Sequence, residues 1–112
     1  MPMLFPFLFF VVVATATGYV PSAGGRNCNG DCSTTASGLP PSSALASCGW
    51  GWELGQKLYV PDYGAVICGD RFGTRAACER IGIGLYAVDL FFTTEAEALQ
   101  WGRKKTVLYV IQ

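Results

Sequence analysis

An all-β fold, a small barrel of five or six short strands with one short helix, is what this sequence predicts. Three observations predict it. The chain has 112 residues, 51% of them hydrophobic and 14% charged, enough for one compact core and too few for two. Its apolar segments are short, rich in Val, Ile, Tyr and Phe, and bounded by Gly, Pro and Asp. A helix-start signature occurs in one place, near the C-terminus, and internal repeats are absent.

The elements follow in order. Met1 to Val13 is apolar throughout, and Ala14-Thr15-Ala16 has the small-x-small form of a signal-peptidase site. The run is shorter than the ~20 residues that span a bilayer as a helix. No Lys or Arg precedes it, and Val11 to Tyr19 is rich in Val and Thr, which reads as a strand entering the domain. Cleavage after Ala16 would cut that strand. The chain therefore divides into an apolar segment, residues 1–14, a signal-peptide remnant that runs into the first strand, and a domain over residues 15–112. The leader is expected to lie partly upstream, and the destination to be secretion or the cell envelope.

Pro21 to Ser43 is a long loop of Gly, Ser, Asn, Pro and Thr, of the kind that is functional or stapled. Lys57 to Val60, Pro61 to Gly64 and Ala65 to Cys68 read as strand, turn, strand, with Pro61 and Asp62 in favoured turn positions. Tyr86 to Phe92 is a further strand. Thr94-Glu-Ala-Glu97 matches a capping box, and the helix it opens is expected to carry acids at its start and bases at its end, stopping near Gly102. Thr106 to Ile111 closes the chain as a strand.

Composition excludes much chemistry. Eight Lys and Arg balance eight Asp and Glu, and Arg103-Lys104-Lys105 is the only basic run, so nucleic acid is not an expected partner. The chain has no histidine, which removes Ser-His-Asp and Cys-His nucleophiles and most catalytic zinc sites. Acid–base work falls to carboxylates, tyrosines or a cysteine. The five cysteines fit disulfides in an oxidising compartment. Cys28-x3-Cys32 has the look of half a zinc knuckle without its other half, so neither a metal nor a cofactor is expected. The expected pairs are Cys28–Cys32 and Cys48–Cys68, leaving Cys78 free, although spacing alone does not fix the connectivity.

Asp89 is the informative acid. In Tyr86-Ala-Val-Asp-Leu-Phe-Phe92, alternation sets Tyr86, Val88, Leu90 and Phe92 on one face and Ala87, Asp89 and Phe91 on the other. A carboxylate within so apolar a strand is costly unless bonded or needed, and burial would raise its pKa toward that of a general acid. A structural Asp accepting backbone N–H bonds is an equal reading. Asp70, in Cys68-Gly-Asp-Arg-Phe-Gly73, is by itself a common turn residue. Trp50, Trp52 and Tyr63 are of a type that stacks on sugars, while Trp in a small domain is more often core. Glu53 and Asp62 read as solvated charges.

Taken together, Thr17-Gly-Tyr19, Thr35-Ala-Ser-Gly38, Leu54-Gly55 with Leu58-Tyr-Val60, Gly69-Asp-Arg-Phe-Gly73, Val88-Asp-Leu-Phe-Phe92 and Glu95-Ala-Glu-Ala-Leu-Gln-Trp-Gly102 resemble the 3D domain. That domain, named for three aspartates, is shared with MltA-type lytic transglycosylases and with cell-wall-associated spore and resuscitation proteins. The likeness runs from about Thr15 to Ile111 and is strongest in the last third. It implies a six-stranded double-psi β-barrel with one short helix before the last strand. It also implies cleavage of the bond between N-acetylmuramic acid and N-acetylglucosamine, the sugar's own 6-hydroxyl attacking to leave a 1,6-anhydro end. Asp89 falls on the position of the family's catalytic acid and Asp70 on its supporting aspartate. Tyr19 and Thr35, inside two of the motifs, are expected to contact substrate together with Trp50 and Trp52.

The sequence also departs from the pattern. The family's first aspartate falls at Cys48, one glycine instead of a pair follows Asp70, and the stretch to Asp89 is longer and holds Cys78. A Cys48–Cys68 disulfide is expected to do the structural work of the lost aspartate. The expected partner is peptidoglycan or a related glycan, met at the cell envelope by a monomer. A non-catalytic glycan-binding barrel and a structural, disulfide-held secreted module stand as alternatives.

Overall fold

The computed structural model describes residues 9–20, 42–71, 76 and 84–111. The elements set out among the described residues are six strands, β1 (Phe9–Tyr19), β2 (Leu45–Cys48), β3 (Lys57–Val60), β4 (Gly64–Arg71), β5 (Val88–Phe91) and β6 (Lys104–Ile111), and the helix α1 (Glu95–Trp101). The strands close into a barrel in the order β1-β5-β2-β4-β3-β6, with β6 returning to β1. Two pairs, β1–β5 and β2–β4, are parallel, and the other four are antiparallel. This is the all-β, six-stranded barrel expected, with its helix before the last strand.

Alternation along each strand sends one set of side chains inward. Ala14, Ala16, Leu58, Val60, Val88, Leu90, Leu108 and Val110 meet there, all buried. Burying a Leu or Val side chain contributes about 2 kcal/mol, so this layer carries much of the fold's stability. Cys48 and Cys68 enter the same core and form a disulfide, Cα–Cα 5.6 Å, that ties β2 to β4. Cys28, Cys32 and Cys78, and with them the expected Cys28–Cys32 pair, lie outside the described residues.

β1 spans the division expected between residues 14 and 15 and pairs with β6 from Phe9↔Ile111 to Ala16↔Lys104. A cut after Ala16 would therefore remove every one of those pairings. The expected strand at Tyr86 to Phe92 is shorter, because the backbone before it bonds elsewhere. The N–H groups of Gly49 and Gly51 donate to the carbonyls of Ala87 and Leu85, both at 2.8 Å. A Cβ at residue 49 would strike the Leu85 backbone, so this backbone-on-backbone contact requires glycine there.

The helix keeps its start signal but not its basic end. Thr94 is the N-cap, its hydroxyl accepting from the Glu97 N–H at 3.1 Å. The Glu97 carboxylate accepts from the hydroxyls of Thr93 at 2.8 Å and Thr94 at 3.1 Å, which hold it below the usual carboxylate range. Gly102 ends the helix at φ 73°, where a side chain would be strained. No base sits in the last turn: Arg103 lies past the cap, and Lys104 and Lys105 open β6. Lys104 instead lays its ammonium over the Trp101 ring, 3.7 Å from the centroid.

Candidate functional site

The barrel's outward face carries a polar row made by register alone. Thr17 on β1 pairs with Asp89 on β5, Asp89 pairs with Ser47 on β2, and Ser47 pairs with Asp70 on β4. Paired residues share a face, so the four side chains stand side by side across four adjacent strands. A register shift between Ala46 and Ser47 lets Asp70, not Gly69, face Ser47. The Cys48–Cys68 disulfide joins the same two strands beside that shift.

Asp89 is partly buried between its neighbours, and the Thr17 hydroxyl donates to its Oδ1 at 2.7 Å. Burial pushes its carboxyl from 3.8 up to about 6, against the smaller downward pull of the Thr17 hydrogen bond. Ser47 donates to Asp70 Oδ2 at 3.5 Å, a long bond, and Asp70 Oδ1 accepts from the Arg71 N–H at 2.9 Å. Ser47 thus bonds Asp70 and is the neighbour of Asp89 in register, while the carboxylate of Asp89 is bonded by Thr17.

Tyr19, two residues beyond Thr17, shares that face. Its hydroxyl is pushed up to about 12, first by burial, then by the negative charges of Asp89 and Asp70, while a hydrogen bond with Ser47 opposes the shift. At any ordinary pH it remains a neutral phenol. It offers no open platform, because it is 5% exposed and meets Phe91 edge-on.

Arg71 is oriented by backbone. Its Nη1 donates to the carbonyls of Gly49 at 3.2 Å and Trp52 at 2.5 Å, and its guanidinium lies 4.6 Å from the centre of the Trp50 ring. Trp50 is 39% exposed, with one face given to Arg71. Trp52 is buried, its ring edge on Tyr86 and its Nε1 donating to the Tyr86 carbonyl at 2.8 Å. Such a ring offers no face to a sugar; it packs the barrel instead. Thr35 lies outside the described residues.

A groove of about 510 Å³ has Phe91, two residues beyond Asp89 on β5, in its wall, while Thr17, Ser47, Asp70 and Asp89 themselves do not line it. Tyr63 and Phe92 supply further aromatic surface, and Ser43, Thr93 and Glu97 supply polar groups. The Tyr63 hydroxyl donates to the Phe91 carbonyl at 2.6 Å, and its ring meets Phe92 and Trp101 edge-on. Tyr63 and Phe92 also pack against the barrel core. Tyr63 was legible as a stacking residue; Phe91 and Phe92 read only as strand hydrophobics, and nothing in their spacing set them apart.

An aspartic acid that keeps its proton to about pH 6 can give a proton to a leaving oxygen and take one back. Among the described residues no cluster of acids and cysteines is grouped to hold a metal ion. No family model and no curated protein matches the chain. The resemblance read from the sequence and the geometry of the row are therefore what a functional reading rests on.

Proposed function

We propose that the protein is a glycan-active barrel of the bacterial cell wall, cleaving peptidoglycan as lytic transglycosylases do, with Asp89 as its acid and base. The observation that carries the reading is the raised, Thr17-bonded carboxyl of Asp89 set in register with Ser47 and Asp70. The 3D-domain motifs supply the substrate class.

In the proposed reaction the protonated Asp89 gives its proton to the bridging oxygen as the bond from that oxygen to the anomeric carbon breaks. The 6-hydroxyl oxygen of the same sugar forms the new bond to the anomeric carbon. Its proton passes to the Asp89 carboxylate, which restores the acid. One carboxyl suffices because no water is activated, unlike hydrolases that pair two carboxylates. Thr17 holds Asp89 in place by its hydrogen bond, Ser47 and Asp70 stand in register across the neighbouring strands, and Tyr63, Phe91 and Phe92 give the sugar's apolar faces a surface to lie on. The loss of an aspartate at Cys48 is compatible with this chemistry, since that position is buried in the core behind Ser47.

A second reading, a binding barrel without turnover, is favoured by the groove, which stands whether or not Asp89 reacts. Digestion of purified peptidoglycan by the oxidised protein, followed by mass spectrometry, separates the two. Anhydromuropeptides released by the parent and not by Asp89→Asn support the enzyme. Retention of both proteins on the sacculus without release supports the binder, and neither release nor retention sinks both.

A further inference from the structure

The aromatic groove at Phe91 has one charged residue in its wall, and that residue is an acid, Glu97. The rest of the wall is aromatic (Tyr63, Phe91, Phe92), hydroxyl-bearing (Ser43, Thr93) or small, with no Lys or Arg. Just outside it, Asp62 precedes Tyr63 and Glu95 stands two residues before Glu97, both exposed acids. Two bases stand near. Lys104 lays its ammonium over Trp101, a ring that Tyr63 and Phe92 also meet, and Arg103 lies past the other end of α1.

Glu97 is held in place with acceptor capacity to spare. The hydroxyls of Thr93 and Thr94 both donate to one oxygen, Oε1, at 2.8 and 3.1 Å. No side chain of the described residues donates to Oε2. An ionised carboxylate offers about four acceptor sites. The two hydroxyls and the Thr94 backbone N–H take three at most, which leaves one open. The same bonds keep the carboxyl below its usual range, so it stays charged, and they fix it before any ligand arrives. Capping the helix thus accounts for Oε1 and leaves Oε2 to whatever fills the groove.

We propose that the groove selects an amino sugar whose nitrogen is free, a de-N-acetylated glucosamine unit, with its ammonium on Glu97 and its ring on the aromatics. This rests on the glycan reading above and narrows its substrate class. The aromatic surface does not discriminate, since acetylated and free amino sugars present the same ring C–H faces. The carboxylate does. An ammonium brings three donors and the opposite charge, whereas an acetamido group brings a single N–H and no charge.

The test is titration calorimetry of the oxidised full chain with the glucosamine tetramer and, separately, the N-acetylglucosamine tetramer, in mildly acidic buffer of low salt. Neither measurement requires cleavage. The glucosamine tetramer is expected to bind about fivefold tighter, near the most that one exposed ion pair contributes. Added salt should narrow the difference by screening the pair. Glu97→Gln keeps an oxygen for the threonine hydroxyls and should abolish the preference without changing the affinity for the acetylated tetramer. Glu95→Gln, on the same helix but outside the wall, should keep it. Thermal unfolding checks both variants, and the two tetramers on the parent decide even if Glu97→Gln does not fold. Equal or tighter binding of the acetylated tetramer overturns this inference and leaves the glycan reading standing. So does a preference that survives Glu97→Gln, or one that Glu95→Gln abolishes as well, which would be attraction to an acidic surface at large. Binding of neither tetramer overturns the inference and the groove's place in the glycan reading together.

Discussion

The two ends of β1 break opposite rules. At its C-terminal end Thr17 and Tyr19 border a carboxylate that the fold partly buries, where water would hold its charge more cheaply. At its N-terminal end Val11 and Val13 stand open to water beside tyrosines that would be better covered. Both arrangements cost free energy in the isolated barrel, and the inward residues between them, Ala14 and Ala16, obey the ordinary pattern. The strand packs normally on its inner face and departs from the pattern at both outer ends, by a carboxyl that holds its proton to about pH 6 at one and by apolar surface in water at the other.

The largest expected effect breaks the polar end. Asp89→Asn should lower any glycan cleavage by 100-fold or more, roughly the low end of what general acid–base catalysis contributes. The same change should make the protein more stable above pH 6. In the unfolded chain the Asp89 carboxyl titrates near 3.8, whereas in the barrel it titrates at about 6, so the folded state holds the proton more tightly. That contribution is complete below the unfolded value, declines as the pH rises from 3.8 to about 6, and is gone above. The span is on the order of 2–3 kcal/mol, and urea unfolding of parent and variant across this pH range should show it in the parent alone. Activity that depends on the protonated acid should fall over the same upper limb.

Removing the Cys48–Cys68 disulfide, by reduction or by paired Cys→Ala changes, should cost about 3 kcal/mol for a loop of this length. A sharper form of the comparison asks which end suffers: hydrogen exchange should rise first at Ser47 and Asp70, and stay unchanged at Val11 and Tyr109. Thr17→Val removes the hydrogen bond that opposes burial at Asp89. It should cost about 1 kcal/mol and carry the pH limb of activity upward, where a merely structural role would leave the limb in place. The smallest effect lies at the other end. Val13→Thr, on an exposed position, should change stability by less than ~0.5 kcal/mol. A larger loss would mean that the apolar end is already covered within the chain.

Much of the fold was legible because short alternating strands and local turn residues act over a few positions. Lys57 to Val60, the Pro61–Asp62 turn and the capping threonine Thr94 are set by neighbours in the chain, and the structure holds them there. The shortening of β5 was not legible, since it depends on Gly49 and Gly51 bonding to Leu85 and Ala87 from far away in sequence. The site divides in the same way. Asp89 announced itself as an acid out of place in an apolar strand. Ser47 and Thr17 did not, because their roles come from strand register across the barrel, and the groove at Phe91 and Phe92 exists only once β5 is set beside Tyr63. Trp52 drew attention by its type, and packing turned it inward.

The parallel pairing of β1 with β5 has a further consequence in time. Thr17 and Asp89 are 72 residues apart, and no hairpin can bring them together. Barrels dominated by such distant pairings fold slowly, since the chain gives up its freedom before those contacts form. The Asp89 proton can acquire its raised affinity only after that closure. A refolding experiment should therefore find the pH-dependent step among the last to recover, later than the local β3–β4 hairpin, so that Asp89 serves as an internal clock for the completed barrel.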